Sequence, residues 1–192
     1  MTVCVSLMET SLTWLGRLVQ TPSGADWQRL MDVYAPLLNS WTIRSGVAES
    51  DRDDLVQEVL LVVVRRVPEF EHEHPGAFRG WLRSILAHHL KAYYRKRANR
   101  PCEFPLEDLT DPRSALAQLL DREHDEHIAR QVLQRVERDF TAPTWIAFRE
   151  QVLDGRRPDE VAQKLNLSLN AVIKAKCRVL QRLRQEFEGW CD

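Results

Sequence analysis

From Pro158 to Arg178 the chain obeys a spacing that few folds satisfy. Counting Pro158 as position 1, apolar side chains fall at positions 4 (Val161), 8 (Leu165), 10 (Leu167), 15 (Val172) and 18 (Ala175). Position 5 is Ala162, small enough for two helices to cross closely. Position 9 is Asn166, which tolerates the left-handed backbone of a tight bend better than any residue but glycine. Pro158 suits a first helical turn, and Ser168 can cap the second helix. The register predicts a helix-turn-helix. A hairpin buried inside an all-helical core would show the same inward pattern, but the outward residues argue against it. Ser168, Asn170, Ala171, Lys174, Lys176, Arg178 and Arg182 are small, polar or basic. Such side chains enter a major groove and reach base edges or phosphates. Leu169 and Ile173 fit less well: Ile173 either touches a thymine methyl or faces protein.

The formal net charge is only −1, yet the charge is sorted along the chain. Seven basic residues lie between Arg79 and Arg100 with no acid among them. From Pro101 to His127 eight acids face two arginines, a net of −6. From Lys164 to Arg184 there are six basic residues and again no acid. One basic run is usually a solvated helix face. Two acid-free runs on helices suit a phosphate backbone, which rewards clustered cations through counterion release.

Helical periodicity covers most of the sequence, and no strand alternation or internal repeat stands out, so an all-α fold of two small helical domains is expected. Residues 1–24 form an N-terminal extension with a weak amphipathic pattern (Leu12, Leu15, Val19). A helix is predicted from Trp27 to Arg44 after an Asp26 cap, with Leu30, Val33, Tyr34, Leu37, Leu38 and Trp41 on one face. A second runs from an Asp51 cap to Val67, where Pro68 ends it. A third runs from Phe78 to Arg97 with Trp81, Leu82, Ile85, Leu86 and Leu90 inward. These make a first domain over 25–98. Residues 99–121, acidic and rich in proline, read as a linker that needs no fold. A second domain follows over 122–188, with a helix from Thr144 to Leu153 ahead of the helix-turn-helix.

"DLVQEVLLVVVRRVPEF", then "FRGWLRSILAHHLKAYYRKR", then the acidic stretch and the terminal helix-turn-helix resemble the extracytoplasmic-function sigma factors of bacterial RNA polymerase. These keep sigma domains two and four and lack domain three. The resemblance covers about 25–188 and implies a transcription initiation factor that binds core polymerase and recognises −10 and −35 elements. It implies that Asp53, Asp54, Gln57 and Glu58 face the clamp helices of the largest polymerase subunit. The helix carrying them is apolar over more than one face, which fits either such docking or a deeply buried core helix. The resemblance places the −10 element on the loop after Pro68 and the helix after it. Phe70 and Phe78 are the candidate stacking aromatics, with Trp81 more suited to the core. Arg79, Arg83, Lys91, Arg95, Lys96 and Arg97 form the basic track, and Ser84, His88 and Lys91 share one helix face. The loop "EFEHEHP" departs from the pattern, being unusually acidic for a segment facing DNA. The −35 element would fall to the helix-turn-helix. The acidic linker would thread polymerase channels, although a solvated spacer has the same composition. An anti-sigma factor is the further partner the family implies.

Other chemistry finds little purchase. Four widely spaced cysteines suit a reducing compartment, and no CxxC pair, metal-ligand spacing, phosphate loop or nucleophile elbow is present. His124 and His127 lie one turn apart but lack a third ligand at zinc spacing. Neither an enzyme nor a cofactor nor a metal is expected. No apolar run is long enough to insert in a membrane, and no signal peptide is recognisable, so a cytoplasmic location is expected. The alternative role is a helix-turn-helix regulator that works without polymerase.

Overall fold

The computed structural model describes residues 24–71, 76–97, 102 and 104–191. The amphipathic pattern of the extension, His72 and His74 of the acidic loop, and Arg100 lie outside the described residues. Among those described there is no strand, and the chain parts into two compact units between Ile128 and Ala129.

The first unit is built on α1 (Gly24–Arg44), α2 (Glu49–Arg66) and α3 (Ala77–Lys96). All six residues of the expected α1 face are buried, because positions three and four apart fall on one side of a helix. Leu55, Val56, Val59, Leu60 and Val63 of α2 and Phe78, Leu82, Ile85, Leu86 and Leu90 of α3 complete the core. α1 closes on Gly46, whose φ is 74°. The Gly46 amide donates to the Ile43 carbonyl and the Val47 amide to that of Thr42 (3.0 and 3.1 Å). This pair of bonds satisfies the last carbonyls of the helix, and buried Val47 seals the bend.

Two expected caps are corrected. Asp26 lies inside the first turn of α1, and α2 begins at Glu49 behind Ala48, which makes no side-chain cap. Asp51 instead accepts from the Tyr93 hydroxyl (2.8 Å) and from Arg97 Nη2 (2.5 Å), tying α2 to the end of α3. A partly buried carboxylate gains more from a phenol and a guanidinium than from one backbone amide.

The acidic stretch also differs from a foldless spacer. Leu106–Leu109 form a 3-10 turn against α3, and α4 runs Ala115–Glu137, crossing the division between the units. Ser114 caps α4 by accepting from the Ala117 amide (2.9 Å). Leu109, Ala117, Leu120 and Ile128 are buried, so the segment has an apolar side of its own.

The second unit, Ala129–Gly189, contains the C-terminal part of α4, α5 (Ala142–Val152), α6 (Pro158–Leu165) and α7 (Leu169–Cys191) as far as Gly189. Its centre is Ala147, Val161, Ala162, Val172 and Ala175, with Leu165 and Leu167 packed against them. Asn166 adopts φ 52° and ψ 45°, and the same two-bond closure recurs. The Leu167 amide donates to the Ala162 carbonyl (3.0 Å) and that of Asn166 to Gln163 (3.3 Å). Ser168 Oγ accepts from the Ala171 amide (3.2 Å), opening α7. Substituting Asn166→Gly should leave urea-unfolding stability nearly unchanged, whereas Asn166→Val should lower it by about 1–2 kcal/mol, because a Cβ-branched residue resists positive φ.

Candidate nucleic-acid and polymerase surfaces

Because Val172, Ala175, Val179 and Leu183 face inward, α7 turns its other side to solvent. Ser168, Asn170, Lys174, Lys176 and Arg178 are exposed there, and Ala171 is half-buried. The three cations take part in no ion pair among the described residues. Arg182, expected on the same surface, does not stand free: its Nε meets Asp139 (2.8 Å) and its Nη1 meets Glu186 (2.9 Å). Leu169 and Ile173 are 49% and 45% exposed, one turn apart on the outer side.

The helix-turn-helix is braced from below by Glu150, a buried carboxylate on α5. Lys164 donates to it, and Gln151 Nε2 bridges the carbonyls of Ala147 and Val172 (2.7 and 3.1 Å). The Lys164 hydrogen bond holds the Glu150 carboxyl below its ordinary value, against the upward pull of burial, with Arg156 and Arg149 helping.

On α3, Ser84, His88, Lys91 and Arg95 are exposed at steps of four, three and four, on one continuous face. Three other expected contacts need correction. Phe78 is wholly buried, its ring 5.4 Å from Tyr34, 5.6 Å from Phe70 and 5.5 Å from Trp81, and so belongs to the core. Arg83 is only 3% exposed. Arg79 binds Asp125 through Nη1 (2.9 and 3.0 Å) and lies 3.6 Å from Asp121. Phe70 and Trp81 are half-buried, with rings 5.0 Å apart. They help line a cavity of about 510 Å³, together with Arg79, Arg83 and Ser84, which Thr110, Pro112 and Asp121 wall on the side of the acidic segment.

The partners of Arg79 and Arg83 were missed from sequence, although a signal exists. Two arginines one turn apart meet two aspartates one turn apart, Asp121 and Asp125. The two histidines next to them serve the fold. His127 Nε2 donates to the Val33 carbonyl (2.6 Å), and buried His124 lies 3.1 Å from Asp125.

On α2, Asp53, Asp54, Gln57 and Glu58 are all exposed, and Glu58 contacts His89 (3.2 Å). Leu61 stands 50% exposed beyond them, while Val62 and Val64 are half-buried. The apolar excess of this helix is therefore partly open to solvent, and the deep-core explanation accounts for only part of it.

Residues 30–100 match the family model for sigma-70 region 2. The match covers a little over a third of the chain. Both sequence blocks that carried the resemblance, "DLVQE" and "FRGWL", lie inside the matched residues. No curated protein matches the chain. Among solved structures it is similar to CnrH in complex with the cytosolic domain of CnrY, at 19% identity over 91% of this chain and 95% of that one. The TM-score is 0.38, too low for that likeness to assign anything to this chain.

Removing the Glu150 charge should produce a pH-dependent loss. A depressed carboxyl contributes stability that is present above the ordinary glutamate range and is lost as pH falls through the folded-state value. Glu150→Gln should therefore be less stable than the parent at neutral pH, and the gap in urea midpoint should close below about pH 4.

Proposed function

We propose that this chain is a transcription initiation factor of the extracytoplasmic-function type. It binds core RNA polymerase and directs it to promoters through −10 and −35 elements. One observation carries the reading: a sigma-70 region 2 is followed in the same chain by a helix-turn-helix with a basic outer face. A regulator acting alone has no use for the first of these.

In this reading the −35 element meets Ser168, Asn170, Ala171, Lys174, Lys176 and Arg178 in the major groove. Arg182 then serves mainly to hold Asp139 and Glu186 in place. The −10 element meets Ser84, His88, Lys91 and Arg95, with Phe70 and Trp81 beside the cavity. Holding an unpaired base needs an aromatic wall beside a cation, and that cavity has both. Asp53, Asp54, Gln57, Glu58 and Leu61 form the face offered to the polymerase clamp, polar at one end and apolar at the other. The role is non-enzymatic and cytoplasmic. An anti-sigma factor as regulating partner belongs to the same reading.

Run-off transcription with purified core enzyme and a promoter library tests the whole. Changed template choice supports it; core binding without such a change, or no core binding at all, defeats it, and the latter with retained duplex binding favours a free-standing regulator. Within it, Lys174→Ala/Arg178→Ala should weaken −35 duplex binding by about 1–3 kcal/mol and flatten its dependence on log salt by nearly two units. Affinity for core enzyme should stay unchanged. Equal loss of core binding would make the two residues structural.

A further inference from the structure

The sign reversal after Arg100 has a structural counterpart. Residues that would meet DNA on α3 are met instead by the chain's own acids. Asp125 holds Arg79, Asp121 lies 3.3 Å from Arg83, and Glu107 lies 3.5 Å from Lys91. Each acid comes from the segment between the 3-10 turn and the middle of α4. That segment is seated by buried Leu109, Ala117 and Leu120 and by the His127–Val33 hydrogen bond. Thr110, Pro112 and Asp121 of the same segment close one side of the cavity beside Phe70 and Trp81.

We infer that residues 106–127 are an internal cover for the DNA-binding face of α3, imitating phosphate with carboxylates, and that this cover must lift before Arg79 and Arg83 can meet a promoter. The inference rests on the reading of α3 as the −10 surface and adds how that surface is regulated.

The cover is built to be displaced. Arg83 is buried, yet its Nε and Nη1 make no hydrogen bond, and neither does the Asp121 Oδ1 opposite. Their approach is an ion pair without donor–acceptor alignment. Burial pulls the guanidinium below its ordinary value and pushes the Asp121 carboxyl up, each only partly offset by the other's charge. A buried pair in this condition regains little of its desolvation cost. Phosphate, with more acceptor oxygens and open to water, satisfies the same arginines better. Arg79–Asp125 and the apolar seat hold the segment closed, while Arg83–Asp121 leaves a reason to open. Ser84, His88 and Arg95 lie beyond the reach of these pairs, which gives DNA a first foothold.

The test uses the full chain without polymerase and a labelled single-stranded oligonucleotide of mixed sequence, read by fluorescence anisotropy. Asp121→Asn/Asp125→Asn should bind about tenfold tighter than the parent, because the covered state lowers apparent affinity by the fraction uncovered. In the parent, excess oligonucleotide at low salt should raise amide hydrogen exchange across 106–120 and lower it across 84–97. A folded double variant that binds no tighter overturns the cover. So does exchange across 106–120 that DNA leaves unmoved, a result that stands even if the variant fails to fold. In either event Lys91→Ala/Arg95→Ala separates the two ideas: weakened binding leaves α3 as a DNA surface without a cover, and unchanged binding removes that role as well.

Discussion

The burial of Phe78 against Tyr34, Phe70 and Trp81 fixes how α3 is turned about its own axis, and the assignments on that helix follow from it. With Phe78, Leu82, Ile85, Leu86 and Leu90 inward, Ser84, His88, Lys91 and Arg95 have only one direction left. The same ring holds Phe70 and Trp81 at the edge of the core, where they wall a cavity instead of filling it. A large aromatic at this position supplies several kcal/mol of burial by ordinary reckoning, of order 3–5 for truncation to alanine. The core and the ligand-facing edge are thus consequences of one packing arrangement.

Repeating patterns were legible in the sequence; partnerships were not. The α1 stripe from Leu30 to Trp41 is buried as its spacing demands, and in the helix-turn-helix register Val161, Ala162, Val172 and Ala175 are buried with Leu165 and Leu167 packed against them. Asn166 takes the backbone its chemistry permits. These are local properties, set by 3.6-residue periodicity and by φ preference. Asp51 was misjudged because its cap position and its tertiary use look alike along the chain, and only the fold brings Tyr93 and Arg97 to it. Phe78 was placed on the DNA side, and Arg83 was read as open to solvent, because charge and aromaticity name a residue's chemistry but not its depth. The acidic segment looked foldless because three prolines and net charge outweighed a short signal, the Ser114 cap followed by Ala117 and Leu120.

Many of the charges in this protein answer one another within a unit. Of the basic residues clustered on α3 and at its end, Arg79, Arg83, Lys91 and Arg97 each face a carboxylate in the same unit. On the helix-turn-helix side, Lys164 and Arg182 are likewise engaged, and Lys174, Lys176 and Arg178 remain open. A near-neutral total therefore coexists with a cluster of cations left open on the outer side of α7. That division keeps nonspecific attraction to polyanions modest while leaving charge where a groove would need it.

The two helix endings at Gly46 and Asn166 close with the same pair of backbone bonds, each spanning at most six residues. Bends of this kind form from neighbours already close along the chain, so little loop entropy is lost in making them. Units assembled from helices and such bends have low contact order, and helical domains of that sort fold in roughly microseconds to milliseconds. A chain of this construction can come off the ribosome, or out of a tight complex, and regain each unit's shape long before an average encounter with its next partner.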